Sequence, residues 1–291
     1  LTERKLLMKH SMSWVICLIF FMIYFPLNAQ TTEQSSLDLL SKAQSAYRTG
    51  HFQQALSLAN QAIKKNPSDA QGFLVRGWLY EMNRQHHRAI NNYNKVLRLD
   101  PFSVDAYNRR GSEYFKLGNI KKSITDFDKA INLDPKKKPY HWQRGISYYY
   151  AGRYQEGRDQ FQSHQRVNSN DVENAVWHFL CQARLVGLIK ARQSILKINS
   201  DPRVPMMEIY QLFTGVGTVE NVLAAAHKNS EKPLVLQRQL FYANLYLGLY
   251  FEAIGNSQRA QEHIFLAAKK YPSQHYMGDV ARVHAEILKK P

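Results

Sequence analysis

Residues 70–137 carry one 34-residue pattern twice. Gly77 and Gly111 stand one period apart, as do Tyr80 and Tyr114, Phe73 and Tyr107, Tyr93 and Phe127, and Pro101 and Pro135. One period back from Pro101 lies Pro67, and one period on from Gly111 lies Gly145. A fixed period of this length implies stacked supersecondary units, because one short helix pair cannot bury its own apolar face.

Within each period the spacing is helical. Tyr107, Gly111 and Tyr114 recur at intervals of four and three, on one face of a first helix. Gly118-Asn119 ends it, as a glycine past a helix C-terminus does. Ser123, Phe127 and Ala130 repeat the spacing on a second helix, which Asp134-Pro135 closes. Gly77, Gly111 and Gly145 on first helices, with Ala55, Ala89, Ser123 and Gly157 on second helices, supply the small side chains that close helix approach requires.

The period divides the chain. Four repeats are expected over 36–69, 70–103, 104–137 and 138–171, followed by divergent helical pairs over 172–240. A last repeat over 241–274 carries Gly248, Phe251, Gly255, Ala260, Ala267 and Pro272 in phase, and a capping helix is expected within 275–291. The divergent part is predicted to hold helices over Glu173–Leu185, Leu188–Ile198, Met206–Phe213 and Thr218–His227, with Thr218 as an N-cap.

Arg4, Lys5 and Lys9 precede an apolar run from Trp14 to Phe25 and then Ala29. These are the parts of a secretory signal peptide over 1–29, cleaved after Ala29, with a polar tether over 30–35. The protein is therefore expected to be exported, to the periplasm or the envelope. A membrane-spanning helix needs about 20 apolar residues, more than this run supplies. Cleavage removes Cys17 and leaves Cys181 as the one thiol, which excludes an internal disulfide framework.

The net charge is +16, from 39 Lys and Arg against 23 Asp and Glu. Loss of the leader removes three basic residues and one acidic residue, giving +14. Much of the excess sits in pairs near predicted helix ends, such as Lys64-Lys65 and Lys269-Lys270, where it complements the helix dipole. There is no arginine tract, zinc-finger spacing or ribonucleoprotein motif, so nucleic acid is not expected as a partner.

No cofactor, metal or small-molecule substrate is expected either. Among the 11 histidines no two stand at i, i+4, and there is no His-Glu-x-x-His. Cys181 and His178 share a helix face, so an unrecognised hydrolase is one alternative. The structural reading makes Cys181 a small buried apolar residue, and the chain is expected not to be an enzyme. Direct binding of an anionic envelope polymer is the other alternative.

The residues at the repeat positions resemble the tetratricopeptide repeat. Phe73, Gly77, Tyr80, Ala89, Tyr93 and Pro101 fit its preferred positions, with Arg76 and Val96 as departures; Tyr107, Gly111, Tyr114, Phe127, Ala130 and Pro135 fit in the next unit. The resemblance implies an all-α helical solenoid of tetratricopeptide repeats, with a divergent helical middle and a C-terminal capping helix. In such arrays the first helix of each unit lines a concave, partner-binding groove. Its positions here would be Leu74, Val75, Trp78 and Glu81, then Asp105, Asn108, Arg109, Ser112 and Phe115, then Gln143, Ile146, Tyr149 and Tyr150. Tyr148 lies at the packing phase, whereas Trp78 and Tyr149 lie outside it.

The chaperone-binding subtype, which clamps a terminal carboxylate, is excluded. Its places hold Leu40, Gln44, Val75, Asp105 and Arg109, and only Arg109 matches.

The order of regular repeats, divergent middle and final repeat resembles the NlpI-type tetratricopeptide lipoproteins of the bacterial envelope. Trp177-His178-Phe179-Leu180, Glu208-Ile209-Tyr210 and Leu247-Gly248-Leu249-Tyr250-Phe251 carry that resemblance. It implies a non-catalytic protein–protein interaction adaptor or scaffold of the cell envelope. Its partners would be envelope proteins such as cell-wall hydrolases or a protease, and a homodimer is also compatible with it. A usable lipidation cysteine is missing, so membrane attachment does not carry over.

Overall fold

A computed structural model describes residues 34–228 and 231–289. The expected leader and its cleavage site lie outside these residues. The described residues are helical with no strand, so the fold class is all-α. None of their helices is long and apolar enough to cross a membrane. The chain forms two compact units, one through Ala106 and one from Tyr107 onward.

The first unit contains α1 (34–48), α2 (Phe52–Lys65), α3 (Ala70–Met82) and α4 (His86–Leu99). Helix α1 already includes Gln34 and Ser35, which the tether reading left outside, and the Lys65 ammonium donates to Ser35 Oγ at 2.5 Å. Alanines at the contact face of α2, Ala55, Ala59 and Ala62, are wholly buried and let its neighbours approach. In the second repeat, a Cβ at Gly77 would lie 2.6 Å from the Tyr93 ring, so glycine there seats the aromatic of α4 directly on the α3 backbone.

Helix α5 (Val104–Lys116) bridges the boundary in sequence. The second unit continues with α6 (Ile120–Leu133), a 3-10 segment over Pro135–Tyr140, α7 (Trp142–Tyr150), α8 (Tyr154–His164), α9 (Val172–Val186) and α10 (Leu188–Gln193). Next come α11 (Met206–Thr214), α12 (Val219–His227), α13 (Pro233–Ala253), α14 (Ser257–Phe265), which runs into a π turn over Leu266–Lys270, and α15 (Tyr276–Leu288). The close approach recurs: a Cβ at Gly111 would lie 2.8 Å from Phe127, and one at Gly145 would lie 2.7 Å from Phe161. The core of this unit is continuous, from Phe115 and Ile146 through Trp177, Phe213 and Tyr246 to Val283.

Two helix lengths differ from the sequence reading. Helix α10 stops at Gln193, where Ser194 turns its hydroxyl back to the Lys190 carbonyl at 2.9 Å and competes with the helix ladder. Helix α13 begins at Pro233, well before residue 241, because proline at a first turn gives up no needed donor. Thr218 caps α12 in a box with Asn221, each side chain serving the other's backbone N–H.

In the repeats over 70–103, 104–137 and 138–171 the same position holds an arginine, a ladder in sequence that composition does not reveal. Arg76 donates to Asn60 and Asn92 at 2.8 Å each. Arg110 grips Asp126 with two bonds of 2.7 Å. Arg144 donates to Asp128 at 2.7 Å and to Gln160 at 3.1 Å. Arg76, a departure from the repeat pattern in the sequence, is thus a polar clip between second helices.

Candidate functional site

At the 34-residue period the first-helix residues fall into columns of equivalent sequence positions: Leu74, Asn108 and Trp142 are one; Trp78, Ser112 and Ile146 another; Glu81, Phe115 and Tyr149 a third. Each column has the same place on successive first helices, yet the two units surround the columns differently.

In the first unit the face is only partly covered. Leu74, Trp78 and Glu81 are half-buried, and Val75 is buried. Trp78 meets Tyr47 of α1 edge to face at 4.9 Å. Glu81 accepts from the Tyr93 hydroxyl at 2.7 Å, which ties its carboxylate to the second helix of its own repeat.

Asp105, at the end of the first unit, is exposed; in the second unit Asn108, Arg109, Ser112 and Gln143 are half-buried. Phe115, Ile146 and Tyr149 are 0%, 1% and 6% exposed, so the expectation that all three face a partner is corrected. Phe115 is covered by the chain's own terminal helix: its ring stacks on Tyr276 with centroids 5.3 Å apart. Trp142 meets the same tyrosine edge-on at 5.1 Å. Tyr150 bonds His284 Nδ1 at 2.9 Å, and His284 Nε2 lies 3.0 Å from Glu252. Tyr149 packs edge-on against Trp177 at 5.3 Å, while Tyr148 is buried and donates to Asp128 at 2.6 Å.

Ile146 lines a cavity of about 270 Å³ in this unit. Its other walls include Trp142, Phe161, Trp177, Tyr242 and Tyr276. At one edge Arg203 pairs with Asp171 at 2.8 Å, with Asp201 at 2.6 Å and with Glu173. Burial opposes the Asp201 carboxylate, but hydrogen bonds from Arg203 outweigh it and hold its pKa below the ordinary value. Burial dominates at Glu173 and raises its pKa despite Arg203 and a 2.7 Å bond from Tyr246. Sequence reasoning passed over Trp142, although it stands two periods after Leu74. Tyr276 and Arg203 carried no comparable signal, since their roles arise from distant parts of the chain.

Cys181 is fully buried, with its sulfur where a Cβ on Gly157 would come within 2.9 Å. Burial pushes the thiol pKa well up and pulls that of His178 down to about 4. Both shifts favour neutral forms and oppose a thiolate–imidazolium pair. Among the described residues no cluster could hold a metal ion.

The tetratricopeptide repeat family matches residues 40–102 and 104–137. These segments are tetratricopeptide repeats. A solved tetratricopeptide repeat protein from Parabacteroides merdae ATCC 43184 is similar over 88% of this chain and 100% of its own, at 16% identity and a TM-score of 0.57. A MamA protein is similar over 69% of this chain and 99% of its own, at 16% identity and a TM-score of 0.52. MamA from Desulfovibrio magneticus RS-1 is similar over 55% and 90%, at 16% identity and a TM-score of 0.51. At these identities the likeness establishes the fold. No curated protein sequence matches the chain. These matches support tetratricopeptide repeats and do not reach as far as the NlpI type.

Proposed function

We propose that the chain is a non-catalytic adaptor of the bacterial cell envelope, exported by its N-terminal leader, that holds partner proteins on the first-helix face of its repeats. One observation carries this reading: the first unit leaves Trp78, Leu74 and the Tyr47 ring beside them incompletely covered. In the second unit the corresponding columns are largely filled by residues of this chain, Tyr276 of a terminal helix among them. A partner segment of similar chemistry, an amphipathic helix presenting an aromatic side chain, suits the face on α1 and α3. Aromatic anchors on a rigid array contribute affinity with little ordering cost.

The NlpI-type resemblance supports the envelope location and the expectation of cell-wall hydrolases or a protease as partners. The buried, neutral Cys181 and His178 support the non-catalytic reading.

The test is affinity capture from envelope extracts with residues 30–291, comparing the parent with Trp78→Ala. The variant is expected to fold with unchanged helicity and to lose its partners at least tenfold. Retention of every partner by a folded variant would overturn the docking face. Capture that collapses with rising salt in parent and variant alike would instead indicate an anionic polymer held by the basic surface.

A further inference from the structure

The cavity in the second unit stands apart from the docking face just described, and its walls and its charge suit one kind of ligand. Trp142 on α7, Phe161 on α8, Trp177 on α9, Tyr242 on α13 and Tyr276 on α15 bring aromatic rings to a volume of about 270 Å³. Phe161, Trp177 and Tyr242 are buried, whereas Trp142 and Tyr276 are half-buried. The volume lies just below the range of small-ligand pockets, about 300–1,000 Å³, and leaves room for one compact headgroup. The face of an aromatic ring carries negative potential and attracts a cation within about 6 Å of its centre, most strongly at tryptophan. One wall already does this within the chain: the Arg203 guanidinium lies 6.0 Å from the centre of the Tyr242 ring.

The edge of the cavity is negative as well. Asp171, Glu173 and Arg203 line it, and Asp201 pairs with Arg203. Three carboxylates against one guanidinium leave a formal excess of two negative charges. Burial raises the Glu173 pKa, yet with that carboxyl protonated the excess is still one. His275, a further lining residue, adds no positive charge near neutral pH, because desolvation lowers its pKa. At this edge an anion is repelled and a cation attracted.

The same groups discriminate between cations. Both oxygens of each carboxylate already accept a hydrogen bond: Asp171 from Arg203 and Asn168, Glu173 from Arg203 and Tyr246, and Asp201 from Arg203 and the Val172 backbone. A primary ammonium brings three N–H donors that need acceptors once water is left behind, and ring faces offer no lone pairs to it. A quaternary ammonium has no N–H to satisfy, and aromatic cages recognise it through the ring faces alone.

We propose that this cavity binds a quaternary ammonium headgroup, seated among the aromatic rings and held by the negative excess at the Asp171 and Glu173 edge. A free organic cation and a trimethylated lysine within a peptide carry the same headgroup.

Calorimetric titration of the full chain tests this with probes of matched shape. Choline is expected to bind at least tenfold more tightly than dimethylbutanol, in which carbon replaces the nitrogen, and than ethanolamine, which keeps the charge but carries N–H groups. Trp142→Leu keeps apolar bulk and removes a half-buried ring face; it is expected to weaken choline at least fivefold and to leave dimethylbutanol unchanged. Asp171→Asn keeps an oxygen for the Glu173 backbone N–H at the start of α9 and removes one charge; it is expected to weaken choline selectively too. A blocked Gly-trimethyllysine-Gly peptide that binds more tightly than choline would identify a peptide as the source, and one that is excluded would identify a free small molecule. Equal binding of choline and dimethylbutanol, ethanolamine binding as tightly as choline, unchanged choline affinity in a folded Trp142→Leu, or no binding of any probe would overturn the proposal. Because the wild-type probe series needs no substitution, a variant that fails to fold leaves the test intact. Failure here would also leave the adaptor reading standing, since that reading rests on the first unit.

Discussion

Trp78 and Phe115 stand at candidate groove positions on the first helices of consecutive repeats, yet they have become different kinds of residue. Trp78 leans on Tyr47 and stays half-buried. Phe115 lies between Tyr150 and Tyr276 with no exposed surface. Repeat register therefore fixes where on a helix a side chain stands and leaves open what covers it. In the first unit the face stays only partly covered; in the second, most of it has been absorbed into the core.

The sharpest way to break that contrast is truncation. Phe115→Ala should cost about 3–5 kcal/mol, the usual range for removing a fully buried phenylalanine. Trp78→Ala should cost well under half as much, because its ring is only part-covered. Urea unfolding measures both. Equal losses would mean that the two faces are packed alike and that the comparison fails.

The arginine ladder gives a second contrast. Arg110→Leu leaves the Asp126 carboxylate, 5% exposed, without its bidentate partner. The expected loss is about 3 kcal/mol, as for breaking a buried ion pair. Arg76→Leu removes donors from two neutral amides, Asn60 and Asn92, and should cost about 1 kcal/mol. If the two losses agree, the charge of the partner is irrelevant and the ladder acts only by packing.

Acidification should weaken the fold through His141 and His178. Burial chiefly holds both near a pKa of about 4, with Arg144 adding to the effect at His141 and Arg158 at His178. In the unfolded chain each imidazole takes a proton below about 6.5. The stability each contributes by staying neutral is complete above that pH and is lost as the pH falls toward 4. At pH 5 the loss is about 2 kcal/mol per imidazole. His141 packs edge-on against Phe127 at 4.5 Å, so His141→Phe should keep the contact and remove about half of the drop in stability between pH 7 and pH 5. An unchanged drop in that variant would show that His141 is not held neutral by the fold.

How legible all this was in the sequence depends on separation along the chain. The seats of Tyr93 on Gly77 and Phe127 on Gly111 are 16 residues apart, lie within one period, and could be read from spacing. So could Tyr148 in the core. The burial of Phe115 by Tyr276 and the bond between Tyr150 and His284, 134 residues apart, belong to tertiary folding that no local period encodes. Ile146 shows the intermediate case. It stands at a candidate groove position by period, but at 1% exposure it lines a cavity and not an open groove. The arginine ladder was visible at period 34, yet it was hidden by comparison with a pattern that prefers an apolar residue there.

The smallest contrast lies in the turns. Gly50, Gly118 and Gly152 each take a positive φ between paired helices, at 84°, 73° and 72°, and Arg84 takes the same place in the second repeat at φ 57°. A side chain with a Cβ pays about 1–2 kcal/mol in this left-handed region. Glycine avoids that penalty but loses more backbone entropy on folding, by about 0.5–1 kcal/mol. On these backbone terms alone Arg84→Gly gains about 0.5 kcal/mol, or roughly 1–2 °C in Tm for a chain of this size, against which the interactions of the Arg84 side chain are lost. The reciprocal change, Gly118→Arg, has open space around the new Cβ, so the backbone cost alone should appear, about 1 kcal/mol. Thermal unfolding of the two variants tests the pair together. A destabilised Arg84→Gly beside a destabilised Gly118→Arg would show that the Arg84 side chain contributes more than its backbone conformation costs, and that the turns of the two units are not interchangeable.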